Sequence, residues 1–299
     1  MSDKLTRYAW LSILTALATI LLKGIAYYVT GSVGLLSDAI ESIVNLVGGV
    51  MALAMLTVAA QPADDDHAFG HSKAEYFSSG VEGALILLAA VSIAWTALPR
   101  LFHPKPLEEV GVGLLVSLAA SLINLIVALI ILNAGKKGNS ITLQANAKHL
   151  LTDVWTSVGV LAAVGLVFYT GWLWLDPLIA LLVAANIIWT GYGIVSESVG
   201  GLMDRALDPD ERKLLNETLN PYRKDGINFH AVITRRAGAR KFVSMHVLVP
   251  GEWSVQKGHE LLERIEADIR HALPHSIVFT HLEPNEDPAS FEDEKLERS

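Results

Sequence analysis

Six apolar stretches, each close to the length needed to cross a bilayer, constrain this chain more than any other feature. They run over 8–29, 33–56, 76–98, 111–132, 149–169 and 177–196, against the roughly 20 residues that a spanning helix needs. Lipid offers no partner to a backbone N–H or C=O, so such stretches must be helices. Charged residues make up only 18% of the chain, below the about 25% of soluble domains. They concentrate after Met203, and the break in composition falls between Met203 and Pro209. The expected fold class is a multi-pass α-helical membrane protein with six transmembrane helices over 1–203, then a cytoplasmic α/β domain over 204–285. The tail, 286–299, shows no periodicity and is expected to be disordered.

Loop charges set the expected orientation. Lys4 and Arg7 precede the first span, Lys73 lies between the second and third, and Lys136, Lys137 and Lys148 lie between the fourth and fifth. The opposite side carries only Arg100 and Lys105. Basic loops stay in the cytoplasm, so both termini are expected there, with the chain in the cell's inner membrane. No small-residue cleavage site follows the N-terminal segment, which is therefore expected to be a retained anchor.

The soluble part reads as helix (208–219), two strands (229–234 and 242–249), helix (255–273) and strand (276–282). That order predicts a small sheet with one face covered by helices. The net charge of −8 gives no support for nucleic-acid binding. Cysteine is absent, so any metal must be held by oxygen and nitrogen.

Such donors occur in three groups. Within the spans, Glu41 and Asn45 are four apart, as are His149 and Asp153, so each pair shares a helix face. Facing one another, the pairs would offer a divalent transition ion four ligands in a roughly tetrahedral arrangement. The plainer reading is that they glue helices by hydrogen bonds. Asp38, three residues before Glu41, fits a cap or polar network as well as a ligand. In the loop QPADDDHAFGHSKAE, Asp64, His67 and His71 would share one side of a helix, or converge by proximity in a loop; the alternative is a solvated polar loop. In the soluble part, His230 and His246 lie on or beside strands, and His281 shares a strand face with Glu283. His259 opens the second helix, while His271 and His275 read as surface residues.

The motifs GSVGLLSDAIESIVN, QPADDDHAFGHSKAE, HLLTDVWTS, LDP and GLMDRALDPDE resemble those of the cation diffusion facilitator family of metal–proton antiporters, closest to its bacterial ferrous-iron and zinc efflux branch. The resemblance covers roughly residues 8–284. It implies six transmembrane helices, a metallochaperone-like cytoplasmic domain and a homodimer. It implies that Glu41, Asn45, His149 and Asp153 form the transport site, where aspartate is common at both second-span positions. It further implies a loop metal site of Asp64, His67 and His71, and cytoplasmic metal ligands His230, His246, His259, His281 and Glu283, the last where aspartate is usual. Lys73 and Asp204 resemble a salt bridge that ties the protomers together.

The expected function is efflux of a divalent cation (Zn²⁺, Fe²⁺, Mn²⁺, Co²⁺ or Cd²⁺) against protons. The metal is both substrate and regulatory ligand, and no organic cofactor is called for. With neutral histidine, Glu41 and Asp153 give a charge of −2, which balances one divalent ion. The competing classes are a membrane-anchored metal sensor or scaffold, which would not need the intramembrane pairs, and an enzyme, for which no nucleophile constellation is present.

Overall fold

The computed structural model describes residues 2–30, 33–103 and 112–291, without the side chains of 2–4, 29, 30, 33–41, 112–114, 164 and 224. Six long helices come first: α1 (Ser2–Thr30), α2 (Val33–Ala59), α3 (Ala74–Phe102), α4 (Val112–Lys137), α5 (Ile141–Thr170) and α6 (Leu175–Leu202). All six are long and apolar enough to cross a membrane. The chain divides at Gly200 into two compact units.

The first unit exposes large apolar side chains and buries polar ones beside two apolar clusters, one around Ile131 and Leu143 and one around Ile86 and Ile187. Trp95, Phe168, Tyr169 and Trp189 are exposed, whereas Thr19, Asn45, Ser78, Glu82, Asn124, Asn146 and His149 are buried. Lipid gives apolar side chains no reason to hide, so helices associate through close approach and polar contacts. Gly83 and Gly191 bring α3 against α6: a Cβ at Gly83 would stand 2.7 Å from Val195 Cγ2, and one at Gly191 2.9 Å from Leu87 Cγ. Ser140 caps α5 by accepting the Leu143 N–H, and its hydroxyl donates to the buried Glu75 on α3. Gly171 ends α5 at φ 73°, in the left-handed region that glycine enters without cost.

The second unit holds α7 (Pro209–Lys224), β1 (Asn228–Ala237), β2 (Arg240–Val249), α8 (Val255–Ala272) and β3 (Ser276–Pro284). The sheet order is β1-β2-β3, with β1 antiparallel and β3 parallel to β2. Val243, Met245, Val247 and Val249 alternate along β2 and pack with Leu215, Leu219, Ile265 and Ile269 of the two helices. The period of two sends His246 to the opposite face.

Glu211 ties α7 to this sheet. It accepts the Asp208 N–H at 3.3 Å, completing a capping box, and pairs with Lys241 at 3.0 Å and Arg236 at 2.5 Å. Partial burial alone would raise its pKa, but the two cations outweigh it and hold the carboxyl below its ordinary 4.5. A depressed folded value stabilises the fold above the unfolded value, and that contribution is lost as pH falls through the folded one. Glu211→Gln is therefore expected to lower the thermal midpoint of the cytoplasmic unit near neutral pH. The gap from wild type should close once pH drops well below 4.5, as followed by circular dichroism.

Of the tail expected to be disordered, the first residues are described by the structure. Pro288–Phe291 form a single 3-10 turn, in which the Asp287 carboxylate accepts the Ala289 N–H at 2.9 Å and Ser290 Oγ donates to the Pro284 carbonyl at 2.9 Å. A four-residue element has no periodicity to read. The remaining tail, 292–299, lies outside the described residues.

Candidate metal sites

Inside the first unit, α2, α3 and α5 meet around a polar centre. Asn45 Nδ2 donates to Asp153 Oδ2, joining the two predicted pairs directly. Asn124 on α4 donates to the same oxygen at 3.3 Å. The Asn45 Oδ1 atom is buried with no hydrogen-bond partner among the described residues. That leaves a carbonyl-type oxygen beside a carboxylate, a donor set suited to a cation. His149, one turn before Asp153, directs Nδ1 to Glu82 Oε2 at 2.5 Å. A cavity of about 240 Å³ reaches Asp153 and is lined by Lys23, Ser117, Ser121, Asn124 and Ser157 among others. Glu41 and Asp38 fall on α2, but their side chains lie outside the described residues.

The loop group is formed by turns, not by a helix. Asp64 Oδ1 accepts the His67 N–H at 2.7 Å, which closes the turn, and faces His67 Nδ1 at 3.1 Å. His71 Nδ1 lies 3.1 Å from the Pro62 carbonyl. A carbonyl only accepts, so Nδ1 carries the proton and Nε2 is turned to Asp64 Oδ2 at 3.4 Å. The His67 backbone bond, helped by both imidazoles, holds the Asp64 carboxyl below its usual range. Asp64, His67 and His71 thus present one ligand atom each within 4.8 Å of one another.

In the second unit, strand register aligns three histidines in a row: His230 pairs with His246, and His246 with His281. Residues directly opposite share a sheet face, here the one turned from the helices. A bulge after His230, with Ala231 at φ 47°, sets where that ring points. Glu283 reaches across the row, with Oε2 at 2.7 Å from His230 Nε2 and Oε1 at 3.2 Å from His246 Nδ1 and 3.6 Å from His281 Nε2. His230, His246 and Glu283 place one donor each within 4.8 Å of one another. His259 is exposed on α8 and is not part of that cluster.

Two participants escaped the sequence reading. Glu82, fully buried on α3, binds Asn146 Nδ2 at 2.8 Å as well as His149, and Asn124 completes the Asp153 shell. Glu82 was visible as an ionisable residue within a span, but no partner on its own helix marked its role.

Comparison with known proteins agrees with this architecture. A cation efflux transmembrane domain matches residues 9–203, and a cation efflux protein cytoplasmic domain matches 207–285. An uncharacterised transporter of Synechocystis sp., sll1263, is 53% identical over 293 residues, covering 98% of this chain and 94% of the relative. The cation-efflux pumps FieF of Citrobacter koseri and Serratia proteamaculans are each 31% identical over 273 residues, covering 90% of both chains.

Proposed function

This chain belongs to the cation efflux family, and on that premise we propose that it exports a divalent transition-metal cation from the cytoplasm in exchange for protons. The observation that carries the reading is the joined intramembrane cluster: Asn45 hydrogen-bonded to Asp153, one turn from His149, with a buried amide oxygen left over. Imidazole, carboxylate and amide oxygen together suit Zn²⁺, Fe²⁺ or Mn²⁺. Carboxylate and imidazole must shed protons to hold a cation and release it when they regain them. Exchange against protons follows if the cluster opens to one side at a time.

The loop and cytoplasmic clusters serve in this reading as regulatory metal sites, with His259 as a further ligand. The protein acts as a homodimer, with Lys73 of one protomer meeting Asp204 of the other. Within its own chain Asp204 already pairs with Arg235 at 3.0 Å, so the intersubunit bridge would draw on a shared network. Lysine asymmetry between loops supports a bacterial inner-membrane location with both termini cytoplasmic. A sensor or scaffold would use the cytoplasmic histidines but has no need of the intramembrane cluster.

Sealed vesicles containing the purified full-length protein, under an imposed pH gradient, test the proposal with Zn²⁺, Fe²⁺, Mn²⁺, Co²⁺ and Cd²⁺ in turn. Gradient-dependent uptake of at least one ion is expected, slowing when the gradient is collapsed. Metal binding without uptake of any of them would favour the sensor.

A further inference from the structure

We propose that Glu82 is a positioning residue for the intramembrane cation site: it orients His149 and supplies there a negative charge that Asn45 does not. The inference rests on the transport reading above and extends it to a third helix.

The geometry is specific. Glu82 is fully buried on α3, where an ionisable side chain is costly unless every oxygen is satisfied. Its two oxygens are divided between two residues of α5, with Asn146 Nδ2 donating to Oε1 at 2.8 Å and His149 Nδ1 facing Oε2 at 2.5 Å. Asn146 and His149 are three apart, hence neighbours on one helix face. A carboxylate beside Nδ1 holds the proton on that nitrogen, which puts the imidazole lone pair on Nε2, the atom a cation would take. Carboxylate–histidine pairs of this kind fix ring orientation and raise ligand basicity at metal sites.

Gly48 carries the argument independently. It lies three residues after Asn45 on α2, and a Cβ there would stand 2.6 Å from Glu82 Oε1 and 2.9 Å from its Oε2. The absence of a side chain at 48 gives this carboxylate its place. The α2 face that offers Asn45 to Asp153 therefore also makes room for Glu82 to reach His149. Position 45 offers a neutral amide, and the carboxylate at Glu82 adds to that of Asp153 among the described residues of the same junction.

The test compares wild type, Glu82→Gln and Gly48→Ala as full-length protein in vesicles, reading Zn²⁺ transport as KM and kcat separately. Glu82→Gln preserves shape but loses the charge. Gly48→Ala leaves the carboxylate in the chain and displaces it. Removal of such an outer partner typically costs about 10- to 100-fold in metal affinity. Both variants are expected to raise KM by that order; each also leaves a buried donor on α5 short of an acceptor, so the thermal midpoint falls while folded protein is still recovered. Glu82→Asp, which keeps the charge on a shorter arm, is expected to recover part of the loss. Unchanged KM in both variants overturns the proposal. So does loss of folded protein in both, which would make Glu82 a packing group of the junction. Absence of transport by wild type would instead fault the transport reading itself.

Discussion

Asp153→Ala is expected to reduce metal transport by about a hundredfold or more while the protein still inserts and assembles. Asp153 is where α2, α4 and α5 meet: its Oδ2 accepts Asn45 and Asn124, and it borders the cavity of about 240 Å³. Removing one partner of a buried charge pair costs about 3–5 kcal/mol, and each 1.4 kcal/mol is a factor of ten. That sets the expected loss when a bound cation no longer meets this carboxylate. The fold is destabilised as well, because the Asn45 and Asn124 amides each lose an acceptor at about 1–3 kcal/mol. Asp153→Asn separates the two effects, since it keeps an oxygen acceptor at that position and removes the charge. Vesicle transport should be lost in both variants, with a smaller change in thermal midpoint for the asparagine. Wild-type rates in either would remove Asp153 from the site.

The six spans were legible because length and hydropathy alone decide a transmembrane helix. The sheet was legible because period two and β-branched residues mark Phe242–Val249 as a strand with His246 on the face opposite its valines. How these pieces meet was less so. Spacing within a helix shows that His149 and Asp153 share a face; it gives no rotation of α5 relative to α3. Glu82 was therefore visible as a charge in an apolar span but not as the partner of His149. The alignment of His230 with His246 depends on a bulge near Ala231, for which the sequence carries no glycine. In the loop, spacings of three and four between Asp64, His67 and His71 suited a helix as well as a turn. The turn forms because Asp64 accepts the His67 N–H, a local bond that short polar side chains make in competition with helix.

Asn45→Asp is expected to change which metal is carried, by about tenfold in the ratio of Zn²⁺ to Mn²⁺ transport. Asn45 now plays two parts: its amide donates to Asp153, and its oxygen is left without a partner among the described residues. A carboxylate cannot donate, so the bond to Asp153 becomes a contact between two acceptors of like charge. In a buried setting that repulsion is large, and a divalent cation between them relieves it. Metal-free variant protein should therefore be less stable than wild type, and added metal should raise its thermal midpoint further, since a ligand that binds only the folded state stabilises it. Selectivity follows from donor type. Mn²⁺ is well served by carboxylate oxygen, whereas imidazole already serves Zn²⁺, so the extra carboxylate should favour Mn²⁺ relative to Zn²⁺. The measurement is a transport series for wild type and variant with each ion across a range of pH, paired with thermal midpoints with and without metal. Equal selectivity together with an equal metal-induced shift would mean that position 45 only joins α2 to α5. A larger metal-induced shift in the variant would mean that the oxygens at 45 and 153 face a common cation.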